Sequence, residues 1–185
     1  ALNNLHMDMN QAIAAYFANS QQRGKTNEQL ANIFMNDCFF VRDYFKSKNK
    51  QLKHEEFQTD EAKHEQAAAM MYGVCNYIDH YMQKYGLRDF TDQLLDTLRL
   101  FTLHKQLIPL FDHILIDEYQ DINTTQIELI NKLNPPNIFC VGDPRQSIYG
   151  WRGSDIKFIL NFEDTYPKAE IITLTKNYRS SPAIV

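Results

Sequence analysis

The spacing of the apolar residues changes near residue 106, and this change limits the fold more than any other feature of the 185-residue chain. Before that point apolar residues recur every three or four positions, which is the period of an amphipathic helix. After about His113 they cluster in short runs rich in β-branched residues, which is typical of buried strands. We therefore predict an all-helical subdomain over residues 1–106 and an α/β unit over residues 107–185.

Helices account for all of the predicted structure in the first half. One is predicted from about Asn3 to Ser20, and three apolar stripes span residues 30–45, 67–85 and 90–101. Gly86 follows the second stripe and supplies the left-handed residue that commonly ends a helix. The side chains of these stripes are predicted to form the core of this half.

Three short apolar runs in the second half are predicted to be strands, at residues 114–116, 137–141 and 171–174. Helical stretches separate them, from Thr124 to Leu133 and from Asp155 to Phe162. Short strands that alternate with helices predict a parallel sheet and an α/β fold. In such sheets the chemistry gathers at the carboxyl ends of the strands, and the polar clusters of this chain follow the three runs.

The first polar cluster is DEYQD, at residues 117–121, directly after the first predicted strand. Mg²⁺ prefers carboxylates and water, and one carboxylate such as Asp117 is enough to hold it on a nucleotide. The neighbouring Glu118 can then orient and deprotonate an attacking water molecule. The alternative is a strand that ends in a polar turn without any catalytic role.

The second cluster is GDPRQSIYGWRGS, at residues 142–154, after the second predicted strand. The amide of Gln146 can hydrogen-bond a γ-phosphate or its attacking water. Tyr149, Trp151 and Arg152 combine two rings with a cation, which suits stacking on bases and contact with a phosphate. The alternative is that Trp151, the single tryptophan, is buried in the core, although its glycine and arginine neighbours favour a loop.

The third cluster is LTKNYRSSP, at residues 174–182, after the third predicted strand. A planar cation such as Arg179 can neutralise the charge on a γ-phosphate during its transfer. Taken alone, the segment is more typical of a surface salt bridge.

Together, in this order, the three clusters resemble motifs II, III and IV of superfamily 1 DNA helicases of the UvrD/Rep/PcrA type. The likeness extends from about Asp89 to the end, and RDFTD at residues 88–92 resembles the DFDD-like stretch that precedes motif II in the family. Tyr119 replaces the commoner Phe, and Ser154 the commoner Ala. The resemblance implies a partial RecA-like sheet of the P-loop NTPase class. By position and helical character alone, the first half matches subdomain 1B, which contacts duplex DNA.

The resemblance also implies that ATP and Mg²⁺ are the cofactors. It implies that Asp117 coordinates Mg²⁺, that Glu118 activates water, and that Gln146 couples the γ-phosphate to the DNA site. It further implies that Tyr178 stacks on the adenine and that Arg179 contacts the γ-phosphate. The implied activity is an ATP-dependent helicase that moves 3′ to 5′ along single-stranded DNA.

Single-stranded DNA and junctions with duplex DNA are the partners that the resemblance implies, with Tyr149, Trp151 and Arg152 as the DNA contacts. The net charge of −4 excludes a bulk basic patch. It does not exclude DNA binding, because stacking on aromatic rings needs little net charge. Three scattered cysteines and no apolar run of membrane-spanning length predict a reduced, cytoplasmic protein. The resemblance implies that it is associated with the nucleoid.

A phosphate-binding loop of the Walker A type has no convincing match. The nearest window, Asn19–Thr26, has Asn in place of the first Gly and follows a helical stretch instead of a strand. With Ala1 in place of an initiator Met, we expect an internal fragment that is inactive alone. In RecA-like sheets the Walker A strand lies beside the 137–141 strand, so we expect another chain, as in a dimer, or the third strand to fill that edge.

Three other functions fit part of the pattern. A non-catalytic DNA-binding module derived from a helicase is the first, although intact motifs argue against a decayed motor. A Mg²⁺-dependent nuclease using Asp117, Glu118 and Asp121 is the second, and it leaves Gln146 and Arg179 without a role. A DEAD-box RNA helicase is the third, but no SAT-like motif follows the first strand.

Overall fold

The computed structural model describes residues 16–17, 26–59, 62–181 and 183–184. Its helices and strands are α1 (Asn27–Ser47), α2 (Ala62–Lys84), α3 (Phe90–Leu103), β1 (His113–Ile116), α4 (Thr124–Leu133), β2 (Asn137–Cys140), α5 (Lys157–Leu160) and α6 (Phe162–Thr165). Short 3₁₀ turns are found at His54–Phe57, Lys105–Leu107, Tyr119–Asp121, Pro144–Gln146 and Gly150–Arg152. The helical first part and the α/β class are confirmed. The helix predicted from about Asn3 to Ser20 lies outside the described residues, apart from Tyr16 and Phe17.

Local sequence signals set the ends of the longer helices. α1, α3 and α4 each begin with a capping box, in which the N-cap side chain and a side chain three residues later pair with each other's backbone amides. The N-cap residues are Thr26, Asp89 and Asn123. Thr26, the last residue of the rejected phosphate-loop window, thus starts a helix. After α2, Gly86 has a φ of +66°, as its predicted role in ending the helix requires.

The core of the helical part lies between α1 and α2. Its buried members belong to the two predicted apolar stripes, apart from Cys75: Phe34, Cys38, Met70, Met71, Val74 and Cys75. Full burial of one such apolar side chain contributes about 1.5–3 kcal/mol, so this cluster holds the two helices together. Within the described ranges, no helix is long and apolar enough to cross a bilayer.

A buried cation connects the three long helices. Arg42 on α1 is only 2% exposed. Its guanidinium contacts Asp79 of α2, and it lies 2.8 Å from a carboxylate oxygen of Asp89 and 3.6 Å from one of Asp92 at the start of α3. Burial would raise the pKa of the Asp89 carboxyl, but the Asp92 amide, Lys46 and Arg42 together lower it to about 2. The charged form of Asp89 is therefore part of the folded structure.

The end of α1 packs against the α/β part. Thr125 is fully buried, and its hydroxyl donates to the carbonyl oxygens of Lys46 at 2.8 Å and Ser47 at 3.1 Å. Gly153 has a φ of +87°, and a Cβ there would lie 1.8 Å from the Ser47 hydroxyl. Only glycine fits at this approach. Both α4 and the loop after β2 are thereby attached to α1.

β1 and β2 form a two-stranded parallel sheet, with His113 opposite Asn137 and Ile116 opposite Cys140. The ladder continues beyond the strands, because the Val141 amide donates to the Ile116 carbonyl at 2.8 Å and the Tyr119 amide donates to the Val141 carbonyl at 2.9 Å. Two of the three predicted strands are confirmed, and their carboxyl ends are joined by hydrogen bonds.

The prediction of a third strand at residues 171–174 is wrong. The segment has no regular structure, and Ile171, Ile172 and Leu174 are 55%, 71% and 85% exposed. β-branched side chains favour extended backbone, but a strand forms only where a neighbouring backbone pairs with it. The expected shift of this segment onto the free edge of β2 therefore does not occur. Pairing of that edge with another chain stays a prediction.

The helix predicted from Asp155 to Phe162 is also only partly correct. It is replaced by two four-residue helices, α5 and α6, that meet at Asn161. Asn161 has φ −99° and ψ 23°, which is outside the helical region, and asparagine commonly leaves a helix because its side chain competes for backbone groups.

Replacing Arg42 by Ala is expected to lower the free energy of unfolding by about 3 kcal/mol or more, because four carboxylates, including that of Asp43, lose a buried counter-charge. Urea unfolding of the 185-residue chain, followed by circular dichroism at neutral pH, measures this. Arg99→Ala is the control. Arg99 is 72% exposed and pairs with Asp96 at 3.5 Å, so its loss should cost less than about 0.5 kcal/mol. Equal losses in the two variants would show that Arg42 does not hold the helices together.

Candidate functional site

The end of β1 presents Asp117 and Glu118 as two exposed carboxylates. The Glu118 backbone has φ 52° and ψ 43°, a left-handed conformation that is uncommon outside glycine. The Glu118 amide donates to Asp117 Oδ1 at 2.9 Å, which stabilises this turn. Unusual backbone of this kind concentrates at functional sites, where the surrounding structure holds it in place.

These two carboxylates suit Mg²⁺ in their chemistry. Mg²⁺ is usually held by one or two carboxylates, while water and substrate phosphates complete its shell. Asp117 and Glu118 offer this donor set at an exposed strand end. In the described part of the chain, this strand end included, no group of three or more His, Cys, Asp or Glu side chains is placed to hold a metal ion.

The loop after β2 reaches the same edge of the sheet, because the strands are parallel and in register. Asp143 organises its first turn by accepting from the Arg145 amide at 2.9 Å and from Gln146 Nε2 at 2.8 Å. The bond from Gln146, followed by that from Arg145, holds the pKa of the Asp143 carboxyl below its usual range. Gln146 is thereby fixed, and its side chain lies on the surface.

Gln120 joins the first two clusters, and the sequence alone assigned it no role. Its Nε2 donates to Glu118 Oε2 at 2.6 Å, and its Oε1 accepts from the Asp143 amide at 3.0 Å. The residue is 2% exposed. The available signal was its position inside DEYQD, where an amide that both donates and accepts lies between carboxylates.

Gly142 leaves room for this bridge. A Cβ at Gly142 would lie 2.8 Å from Gln120 Oε1, 3.0 Å from Ile159 Cδ1 and 3.1 Å from the Tyr119 amide nitrogen. Tyr119 is itself buried, and its ring meets the Phe162 ring edge-on with centroids 5.3 Å apart. The strand ends are thus packed too tightly to accept a side chain at this position.

The predicted DNA-contacting residues form one aromatic and cationic cluster. The Arg152 guanidinium lies 4.6 Å from the centre of the Trp151 ring and 5.2 Å from that of Tyr149. Phe40 of α1, which was not predicted, stacks on Trp151 with centroids 5.8 Å apart and planes 23° apart. Trp151 is 52% exposed, so the alternative of a buried core tryptophan is wrong.

A cavity of about 590 Å³ lies between this cluster and α1. Its wall includes Phe40, Trp151 and Arg152, together with Asp121 and Ser154. Asp121 Oδ1 and Ser154 Oγ are buried and have no hydrogen-bond partner among the described residues. Buried polar atoms are nearly always paired in folded proteins, so these two unpaired atoms are an unusual feature of residues that line the cavity.

The third cluster is not brought to the other two. Tyr178 is 84% exposed. The hydrogen bonds of this segment are local, since the amides of Arg179 and Ser180 both donate to Asn177 Oδ1, at 2.9 and 3.0 Å. Lys176 Nζ lies 5.0 Å from the centre of the Tyr178 ring. The missing third strand explains the separation, because no sheet edge carries these residues to the ends of β1 and β2.

A parallel sheet with carboxylates at one strand end and a glutamine loop at the next is typical of α/β domains that hydrolyse nucleotides. The family model described as UvrD/REP helicase N-terminal domain matches residues 3–167. The match covers most of the chain, which therefore belongs to this family. The resemblance drawn from the three motifs is confirmed.

Individual relatives agree with the family. The chain is 40% identical over 121 residues to YjcD of Bacillus subtilis (strain 168), a match that covers 62% of this chain and 16% of YjcD. It is 44% identical over 103 residues to the ATP-dependent DNA helicase PcrA of Staphylococcus aureus (strain NCTC 8325 / PS 47), which covers 52% of this chain and 14% of PcrA. The chain thus spans at most about a sixth of the length of these curated relatives.

Gly142→Ala is expected to lower the free energy of unfolding by about 1–3 kcal/mol, because the added methyl group overpacks the strand ends. Gly150→Ala, in the same loop, is the matched control. A Cβ at Gly150 meets nothing within 4 Å, so its effect should stay within about 0.5 kcal/mol. Urea unfolding of both variants measures the difference. A Gly142→Ala variant as stable as Gly150→Ala would contradict the tight packing.

Proposed function

We propose that the chain is part of an ATP-dependent DNA helicase that couples ATP hydrolysis to 3′-to-5′ movement on single-stranded DNA. The observation that carries the proposal is the meeting of two clusters at one sheet edge. The carboxylates after β1 and the Asp143–Arg152 loop after β2 are joined there by hydrogen bonds. Family membership supports the class of activity. The coverage of its relatives supports a place within a longer polypeptide.

On the nucleotide side, Asp117 would hold Mg²⁺, which neutralises phosphate charge when it is bound. Glu118 would orient and deprotonate the attacking water, and Gln146 would contact the γ-phosphate. We carry over Tyr178 for the adenine and Arg179 for the γ-phosphate from the family resemblance. Their present distance from the first two clusters requires a rearrangement or an added strand before they could act.

On the DNA side, Tyr149 and Trp151 would stack on bases while Arg152 contacts a phosphate. The half-exposed Trp151 ring and its Arg152 neighbour support this role. The helical part, with a boundary near residue 106, would face the junction between single-stranded and duplex DNA. A cytoplasmic, nucleoid-associated location is part of the same proposal.

A DNA-binding module without ATP turnover is the second candidate. One observation favours it, namely that among the described residues the backbone around Arg179 forms local hydrogen bonds to Asn177 and none to the first two clusters. The two candidates share the DNA-side cluster and differ in whether Glu118 has a catalytic role. Substitution at Trp151 tests the DNA binding that both candidates require. Substitution at Glu118 tests the ATP turnover that only the first candidate requires.

Trp151→Ala should weaken binding of the 185-residue chain to single-stranded DNA by about 1–3 kcal/mol, the usual contribution of one base–aromatic stack. Anisotropy of a fluorescein-labelled oligothymidine measures the Kd. Tyr85→Ala is the control, because Tyr85 is an exposed ring on the helical part that lies outside the cavity. If both variants bind like the wild type, Trp151 makes no contact with DNA.

Glu118→Gln in the full-length protein should abolish ATP turnover while ATP binding survives, because the amide cannot accept a proton from water. Phosphate release measures turnover, and a fluorescent ATP analogue measures binding. Glu128→Gln is the matched control, since Glu128 pairs with Asn49 at the contact between α1 and α4. Unchanged turnover in Glu118→Gln would exclude the assigned role and favour the second candidate.

A further inference from the structure

The side chain of Gln120 makes contacts that face opposite ways, and its amide nitrogen also donates to Asp121 Oδ2 at 3.4 Å. Its amide nitrogen donates to one oxygen of Glu118, the residue proposed to activate water, and its amide oxygen accepts from the backbone of Asp143. Asp143 in turn holds Gln146 and begins the loop that carries Trp151. One buried amide therefore spans the two clusters that the proposed function needs to connect.

The surroundings of Gln120 fix its position. Its backbone carbonyl accepts from the Ser147 hydroxyl at 3.2 Å, so the loop after β2 holds it at a second point. On one side, the Tyr119 amide continues the sheet ladder. On the other, Gly142 lies directly beside the side-chain amide, because a Cβ added there would be 2.8 Å from Gln120 Oε1. A 2% exposed residue held in this way transmits a displacement of the loop instead of absorbing it.

We infer that Gln120 is a positioning residue that holds the Glu118 carboxylate in register with the Asp143–Arg152 loop, so that DNA on the loop affects water activation at Glu118. The inference rests on the proposed function. One Glu118 oxygen is occupied by the Gln120 amide, which leaves the other to receive the proton of water. A small misplacement of a catalytic group can cost about 100-fold in rate, so this orientation matters to turnover.

Only an amide of this length can both donate a hydrogen bond to Glu118 and accept one from the Asp143 amide. Methionine has a similar length but can neither donate to Glu118 nor accept from the Asp143 amide. Glutamate accepts from Asp143 but places a second carboxylate against Glu118 Oε2. Comparing Gln120→Met with Gln120→Glu therefore separates the contact with Glu118 from the contact with the loop.

ATP turnover of the full-length protein at saturating single-stranded DNA is the main test. Gln120→Met should lower kcat at least about 10-fold, while the KM for ATP and the Kd for DNA stay within about threefold. Gln120→Glu should be as slow, because the donor to Glu118 is lost in both. Gly142→Ala should also lower kcat, since its methyl group displaces the Gln120 side chain without removing it.

Gln83→Met is the matched control. It makes the same substitution at an exposed position of α2 that lines neither the cavity nor the strand ends, so kcat should not change. The hydrogen bond from the Asp143 amide to Gln120 Oε1 can be followed in the nuclear magnetic resonance spectrum of the 185-residue chain. Its proton shift should move upfield in Gln120→Met, where the hydrogen bond is lost, and should not move upfield in Gln120→Glu, where a carboxylate oxygen still accepts from it.

The outcomes test the proposed function and the role of Gln120 separately. A wild-type protein without DNA-dependent turnover overturns the proposed function and the coupling with it. Normal wild-type turnover with an unchanged kcat in Gln120→Met overturns the inference alone. So does a Gln120→Glu variant with full kcat, because Gln120 would then only support the loop. Parallel changes in kcat, KM and Kd would likewise indicate a general structural role.

Discussion

The parallel pairing of β1 with β2 is the constraint on which the candidate site depends. Their register places residue 116 opposite residue 140, so the segments that follow leave the sheet side by side. Two further backbone hydrogen bonds, through Val141 and Tyr119, hold the two segments together beyond the ends of the strands. Without this pairing, Glu118 and Asp143 would be 25 positions apart in sequence with nothing to join them. The buried amide of Gln120 is effective only because the strands have already brought both partners within its reach.

The helical part shapes the site as well as supporting it. The end of α1 is anchored to α4 through the hydroxyl of Thr125 and to the loop after β2 through the close approach of Gly153 to Ser47. The same helix places Phe40 against Trp151. Because Arg42 ties α1 to both α2 and α3, the position of Phe40 depends on the whole helical part. The aromatic cluster is therefore shared between the two parts of the chain.

Short-range patterns in the sequence predicted most of the helices and strands, because these depend mainly on interactions between residues that are close in sequence. The apolar stripes located α1, α2 and α3, and the helical pattern from Thr124 to Leu133 located α4. Of the three polar clusters expected to gather at strand ends, the first two do so. The roles of Gln120 and Phe40 could not be predicted, because each depends on a partner far away in the sequence. The error at residues 171–174 has the same origin. Propensity favours a strand there, but pairing requires an edge that no local pattern reveals.

That error and the free edge of β2 have a common physical explanation. In the described part of the chain, β2 pairs on one side only, and Ile171, Ile172 and Leu174 lie exposed without a backbone partner. A single parallel strand between them would satisfy both sets of amides and carbonyls and would cover these apolar side chains. It would also align the end of the 171–174 run with those of β1 and β2, which would bring Arg179 toward Glu118. An unfilled position in the sheet is therefore enough to explain the separation of the third cluster, and this separation is compatible with the role proposed for Arg179.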